Sequence, residues 1–232
     1  MKKIKLFLLL AVLTAPFLQS CNDKIDQPSQ YALVTIKTTA HAGSQNSYYG
    51  ILDNDDKIYV GNNRVGNYKP IDGQRALMYF TPLETPVAGY KYNADVYYVE
   101  NILTKPTILL NDKQYDTLGT DNISITRAWI GGDYLNIEFA VLTNGVANHI
   151  INLVDNQLEK LEQLPGYITL DLRHNSKNIH NGQLSKAYAC FKLDMYNPAE
   201  SGEKGLYIRY KPVYGEEIKY LKVNIGTEAS GE

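Results

Sequence analysis

The sequence is poor in cysteine and tryptophan, has no surplus of positive charge, and holds no apolar run long enough to cross a membrane. Lysine and arginine number 23 against 25 aspartate and glutamate. Phosphate affinity needs clustered cations, so this balance excludes a nucleic-acid partner and the polybasic patch of a peripheral membrane protein. The longest apolar run, Leu6 to Leu18, is broken by Thr14 and Pro16. It is shorter than the roughly 20 residues a spanning helix takes. There is no nucleophile elbow, phosphate loop or dinucleotide fingerprint. The four histidines, His41, His149, His174 and His180, lack the i, i+4 spacing of a helical metal site, and no close cysteine pair exists. No catalytic residue, cofactor or metal is therefore expected.

What is present begins at the N-terminus. Lys2, Lys3 and Lys5 precede the apolar run and give it the shape of a secretory signal. The run ends Leu18-Gln19-Ser20-Cys21, which resembles the lipobox of bacterial lipoproteins. That resemblance implies cleavage after residue 20 and acylation of Cys21. Each buried methylene contributes about 0.8 kcal/mol, so two or three acyl chains would hold the protein on a bilayer. Asn22, where an aspartate would argue for inner-membrane retention, makes the outer membrane the default; a periplasmic and a cell-surface face both stay open. Residues 21–30 are polar and aperiodic and read as a flexible tether. Without residues 1–20 the chain carries 20 basic and 25 acidic side chains, a formal charge of −5. With Cys21 acylated, Cys190 has no disulfide partner and reads as a half-buried structural cysteine.

Tyrosine dominates the aromatics, 19 against 5 phenylalanines, and suits strands and half-wet faces as well as carbohydrate or protein recognition. Strands are expected at Tyr31–Ile36, Tyr48–Leu52, Lys57–Val60, Gln74–Pro82 and Tyr90–Leu103, with Thr107–Leu110 closing the set. In the longest run Tyr92, Ala94, Val96 and Tyr98 share one face. The turn Asp53-Asn54-Asp55-Asp56 invites a calcium reading. An EF-hand loop counted from Asp53 would need Gly and Glu where Ile58 and Arg64 stand, so turn chemistry explains it better. Residues 111–121 lack apolar periodicity and mark the domain boundary. Within them Asp116-Thr117-Leu118 resembles a short O-glycosylation acceptor.

The second half alternates more cleanly. Gly131-Gly132 signals a tight hairpin, followed by Leu135, Ile137, Phe139 and Val141 inward with Asn136 and Glu138 outward. A short helix is expected over Asn156–Leu164, capped by Asn156 and ended by Pro165-Gly166. Tyr167–Arg173 should bury Ile168, Leu170 and Leu172 and expose Thr169, Asp171 and Arg173. Residues His174–Gly182 read as a polar loop, and Asp171, Arg173 and His174 as a small polar site at a strand end. Lys186–Asp194 should bury Ala187, Ala189, Phe191 and Leu193. The fold class is all-β: a small OB-like barrel over residues 31–115, then an immunoglobulin-like β-sandwich over 116–232.

These pieces together resemble the NigD-like lipoproteins. Trp129-Ile130-Gly131-Gly132-Asp133-Tyr134-Leu135-Asn136-Ile137 and Leu170-Asp171-Leu172-Arg173-His174-Asn175 are the family-like stretches. The resemblance implies the lipid anchor at Cys21 and the two-domain fold. The family takes its name from a bacteriocin-associated gene cluster and brings no catalytic residues to carry over. The functional expectation is a non-enzymatic envelope lipoprotein that binds a partner protein or surface component. A glycan-binding lipoprotein is the alternative, and a hydrolase with a site between the domains is the third.

Overall fold

The computed structural model describes residues 29–39, 47–145, 149–179, 182–215 and 217–231. The signal, the acylation expected at Cys21, His41 and His180 lie outside these residues.

Five strands close into a barrel: β1 (Gln30–Thr38), β2 (Tyr48–Ile51), β3 (Lys57–Asn63), β4 (Arg75–Pro82) and β5 (Tyr92–Asn101), in the order β1-β2-β3-β5-β4. All pairings are antiparallel except β3 with β5. Alternation puts Val34, Ile36, Ile58, Met78, Phe80, Ala94 and Val96 in the interior. The β2–β3 turn closes through the Leu52 N–H to Asp56 carbonyl bond at 2.8 Å, with Asp55 at φ 65° and the Asn54 side chain tied to Asp56.

The sandwich has two five-stranded sheets. One has the order β14-β13-β11-β10-β7, the other β15-β8-β9-β12-β6. The elements are β6 (Leu103–Pro106), β7 (Ile108–Leu109), α1 (Asp112–Leu118), β8 (Ser124–Gly131), β9 (Tyr134–Thr143), β10 (Ile150–Asp155), β11 (Tyr167–Asn175), β12 (Gln183–Lys192), α2 (Pro198–Ser201), β13 (Gly205–Tyr210), β14 (Lys219–Asn224) and β15 (Glu228–Ala229). The core between them includes Leu135, Ile137, Leu153, Leu170, Phe191, Leu206 and Ile208. The hairpin of β8 and β9 turns at Gly132, with φ 55°, the conformation its sequence demands.

Several expectations change. In β5 the pairing with β4 slips between Tyr79 and Phe80, so Tyr97 is an extra residue in a β-bulge. The alternation resets there: Val99 is buried, and Tyr98, expected on the face of Tyr92, Ala94 and Val96, is exposed. Residues 103–109, assigned from sequence to the barrel, are strands of the sandwich, because β6 pairs with β12 and β7 with β10. The expected boundary at 115/116 falls beyond them. Residues 112–118 form a helix whose Leu118 packs with Leu110 and Val154, so the stretch covers a satellite core instead of linking domains. β6 pairs only with Ala189–Lys192, which leaves the first half of β12 on an open edge and Ala187 exposed.

No helix forms over residues 156–164. Asn156 does accept from the Leu158 and Glu159 N–H groups, as a cap would. Glu159 is instead drawn into ion pairs with Arg173 (2.6 Å) and Arg209 (2.7 Å). A segment this short gains too little from its own backbone bonds to resist. Asp171 and Arg173, expected to be exposed, are buried beneath this segment and α1. Arg173 bonds Asp171 at 2.7 Å, and Tyr115 donates to Glu159 at 2.7 Å. Burial alone would raise the Glu159 pKa, but hydrogen bonds from Tyr115, Arg209 and Arg173 outweigh it and hold the carboxyl down to about 2.

His174 lies in β11 and is buried. Its Nδ1 is 2.8 Å from the Asn122 carbonyl and so carries the hydrogen; its Nε2 accepts from His149 Nδ1 at 2.8 Å. Burial lowers the His174 pKa below 6.5, and nearby His149 lowers it further. The folded chain therefore keeps the ring neutral where the unfolded chain protonates it. Stability is full above about pH 6.5 and falls as pH drops below it, toward the depressed folded value. Urea unfolding at pH 7.5 and 5.5 should show this loss, and His174→Asn should reduce the difference.

Candidate functional site

The barrel sits end-on against the sandwich, and an ion pair occupies the junction. Arg75, at the start of β4, is 1 % exposed. A buried guanidinium must be paired and hydrogen-bonded to be tolerated. Arg75 meets Asp53 of the β2–β3 turn at 2.6 Å, Thr35 Oγ1 of β1 at 3.1 Å and Asn136 Oδ1 of β9 at 3.0 Å. It also lies over the Tyr134 ring, 5.1 Å from its centroid. Asp53 accepts in addition from Trp129 Nε1 at 2.8 Å and Asn136 Nδ2 at 3.3 Å. Tyr134 donates to the Gly73 carbonyl at 3.2 Å. Gln74 Nε2 donates to the Ile102 carbonyl at 2.6 Å and clamps the chain where it passes between domains.

This explains two departures from the expected alternation. Asn136 points outward from the sandwich, yet it is fully buried because the barrel end covers it. Cys190, its partner in β12, is fully buried for the same reason, beyond the half-burial expected. Burial pushes its thiol up to about 11, against a lowering by Arg75. Such a thiol is inert. Gly131 is required by contact: a Cβ there would stand 2.2 Å from Asp53 Cγ.

Beside the junction lies a cleft of about 840 Å³ that both domains line, with Asp53, Asp55, Arg75, Lys105, Asp133 and Glu200 among its charged groups. Asp53 already accepts from three donors. Lys105 donates to the Ile151 carbonyl and Asn152 Oδ1, and burial lowers its pKa. Among the described residues no histidine lines the cleft, and no group of three His, Cys, Asp or Glu side chains suits a metal ion. Asp171 and Arg173 belong to the buried ion cluster, and His174, on the same strand, pairs instead with His149 just before β10. The expected small polar site at Asp171, Arg173 and His174 is thus divided between two buried networks.

The barrel wall carries two tyrosine clusters. Tyr31, Tyr79 and Tyr98 are direct partners across β1, β4 and β5. The Tyr79 ring touches Tyr31 at 5.7 Å, Tyr98 at 5.5 Å and Tyr97 at 6.4 Å. Tyr49 and Tyr59 pair across β2 and β3, and Tyr90, from the β4–β5 connection, packs edge-on against both. Counting residue types predicted neither grouping; cross-strand register creates both. Asp53, Arg75 and Asn136 also escaped sequence reasoning. The available signal was an amide at a strand position beside the single tryptophan's hairpin.

Barrel order, sandwich and junction define a two-domain all-β protein in which an OB barrel is fixed to a sandwich. The chain belongs to the NigD-like family: residues 33–102 match its N-terminal OB domain and residues 106–225 its C-terminal beta sandwich domain. A solved structure from Parabacteroides distasonis, described as toxin related, is 30 % identical over 86 % of this chain and 95 % of its own, with a TM-score of 0.67. A protein of unknown function from Bacteroides vulgatus is 27 % identical over 86 % of this chain and 92 % of its own, TM-score 0.71. A NigD-like immunity protein from Bacteroides caccae shares the fold at 24 % identity and TM-score 0.56, over 88 % of this chain and 91 % of its own. No curated protein matches the chain.

Removing Asp53 leaves the more deeply buried partner uncompensated, since Arg75 is 1 % exposed and Asp53 25 %. Asp53→Ala should cost about 3–5 kcal/mol in denaturant unfolding. Arg75→Met, which leaves Asp53 its other two donors, should cost less. Gly131→Ala should reproduce part of the Asp53→Ala loss by displacing the carboxylate.

Proposed function

We propose that the protein is a lipid-anchored component of the bacterial cell envelope, held at the outer membrane through Cys21, and that it works as a non-enzymatic binding or adaptor module. The observation that carries the reading is a two-domain body joined through a buried ion pair, with aromatic rows left on its barrel wall. Rigid scaffolds that present tyrosines suit recognition, because the ring supplies contact area and the hydroxyl a hydrogen bond. The occupied hydrogen bonds of Asp53 and the buried, unreactive Cys190 support binding over catalysis.

A glycan partner is the second reading, favoured by one observation. In OB barrels the face of strands 2 and 3, with the loop between strands 4 and 5, takes oligosaccharides. Here that face holds Tyr49 and Tyr59, and the corresponding loop brings Tyr90 to them. Tyr59, at 40 % exposure, offers its ring to a sugar.

Cys21→Ser should move the protein from the detergent and membrane fractions to the soluble one. Retention in both would defeat the anchor. The chain from residue 22 should bind a partner from envelope extracts saturably. If that partner is a glycan, Tyr59→Ala should weaken binding about tenfold on an oligosaccharide array, the loss of roughly 1.4 kcal/mol.

A further inference from the structure

Among the described residues no element covers the tyrosine ladder of β1, β4 and β5, and the ladder lies off the oligosaccharide face. Its position relative to the chain's entry point suggests a role. The end of the barrel that meets the sandwich is marked on β4 by Arg75, which bonds Asn136 of the sandwich, on β1 by Thr35, which accepts from Arg75, and just after β5 by Ile102, whose carbonyl accepts from Gln74 at the domain crossing. Tyr31, Tyr79 and Tyr98 each lie four residues from these, in the direction away from the sandwich. At about 3.3 Å per residue the ladder stands roughly 13 Å up the barrel wall, toward its far end. The chain enters at that same far end, because β1 begins at Gln30 and pairs there with Phe80. The ladder's first residue is the second residue of that strand.

Tyr31 lies ten residue steps after Cys21, a reach of at most about 35 Å. An acyl anchor on Cys21 would therefore hold the ladder close to the bilayer, with the sandwich pointing away. The ladder's composition suits that place. Tyr31 is 66 % exposed and Tyr98 49 %, and the bulge at Tyr97 adds another outward ring to the row. Half-buried Leu33 and Leu77 form the next rung on the same face. Tyrosine concentrates at membrane–water interfaces, where the ring rests among headgroups and the hydroxyl stays wet. The sequence has no surplus of positive charge for anionic lipid, and none is needed when acyl chains supply the affinity and the ladder only sets the angle.

We propose that the Tyr31–Tyr79–Tyr98 ladder, with Tyr97, is a membrane-facing surface that rests on the phospholipid headgroup layer and orients the anchored protein, barrel inward and sandwich outward. This rests on the acyl anchor proposed above. In the test, the mature acylated chain is placed on phosphatidylethanolamine/phosphatidylglycerol vesicles containing a headgroup spin-labelled lipid. Fluorescent labels are attached through Tyr98→Cys or, as a control at the far end of the sandwich, Leu184→Cys. Cys190 is fully buried and does not compete for label. The expected result is quenching by the spin-labelled lipid at position 98 and none at 184. Equal quenching at the two positions, or none at either on vesicle-bound protein, overturns the ladder's role and leaves the anchor standing. Shielding of position 98 from an aqueous quencher without quenching by lipid would mean that a second copy covers it, which also overturns the proposal. A chain that fails to partition onto vesicles at all overturns the anchor, and the orientation with it.

Discussion

A single guanidinium fixes how the two domains meet. Arg75 has almost no contact with water, so its charge is tolerated only because residues from both domains surround it. Asp53 supplies the countercharge from the barrel, and Asn136 supplies both an acceptor for Arg75 and a donor to Asp53 from the sandwich. Trp129 adds a third donor to the carboxylate. Separating the domains would expose this network to water and leave Asn136 and Cys190 on a bare sheet face. The arrangement is specific as well as cohesive, since a charge buried without partners is costly in any other docking pose.

Fixing the barrel by its end leaves its wall free. The two tyrosine clusters lie on separate parts of that wall, one across β2 and β3 and one across β1, β4 and β5. The sandwich spends its polar residues differently. Glu159, Asp171, Arg173 and Arg209 form a compact cluster beneath α1 and the segment after β10, and this cluster covers a sheet face that would otherwise meet solvent. The two tyrosine rows belong to the barrel, while buried polar networks hold the sandwich and the junction together.

Much of the fold was legible because local chemistry and global pairing agree. The Asp-rich turn between β2 and β3, the glycine-marked hairpin that turns at Gly132-Asp133 and the alternation of β9 each follow from period and turn residues alone. What escaped depends on contacts far apart in sequence. Asp53 and Asn136 are 83 residues apart, and no local pattern marks a turn aspartate as a junction residue. Arg173 alternates as an exposed residue should; its cover comes from Tyr115 and Glu159. The bulge at Tyr97 displaced Tyr98 by one position, and nothing in a run of alternating residues announces an insertion. The expected helix after β10 failed because its glutamate found stronger partners than its own backbone. The tyrosines were visible as a count, whereas their two rows exist only through strand register.

If Arg75 and its partners make the two domains one cooperative body, calorimetric unfolding of residues 22–232 should give a single transition, with the calorimetric enthalpy equal to the van't Hoff enthalpy. Two resolved transitions, or a calorimetric enthalpy about twice the van't Hoff value, would mean that barrel and sandwich unfold independently and would contradict the account.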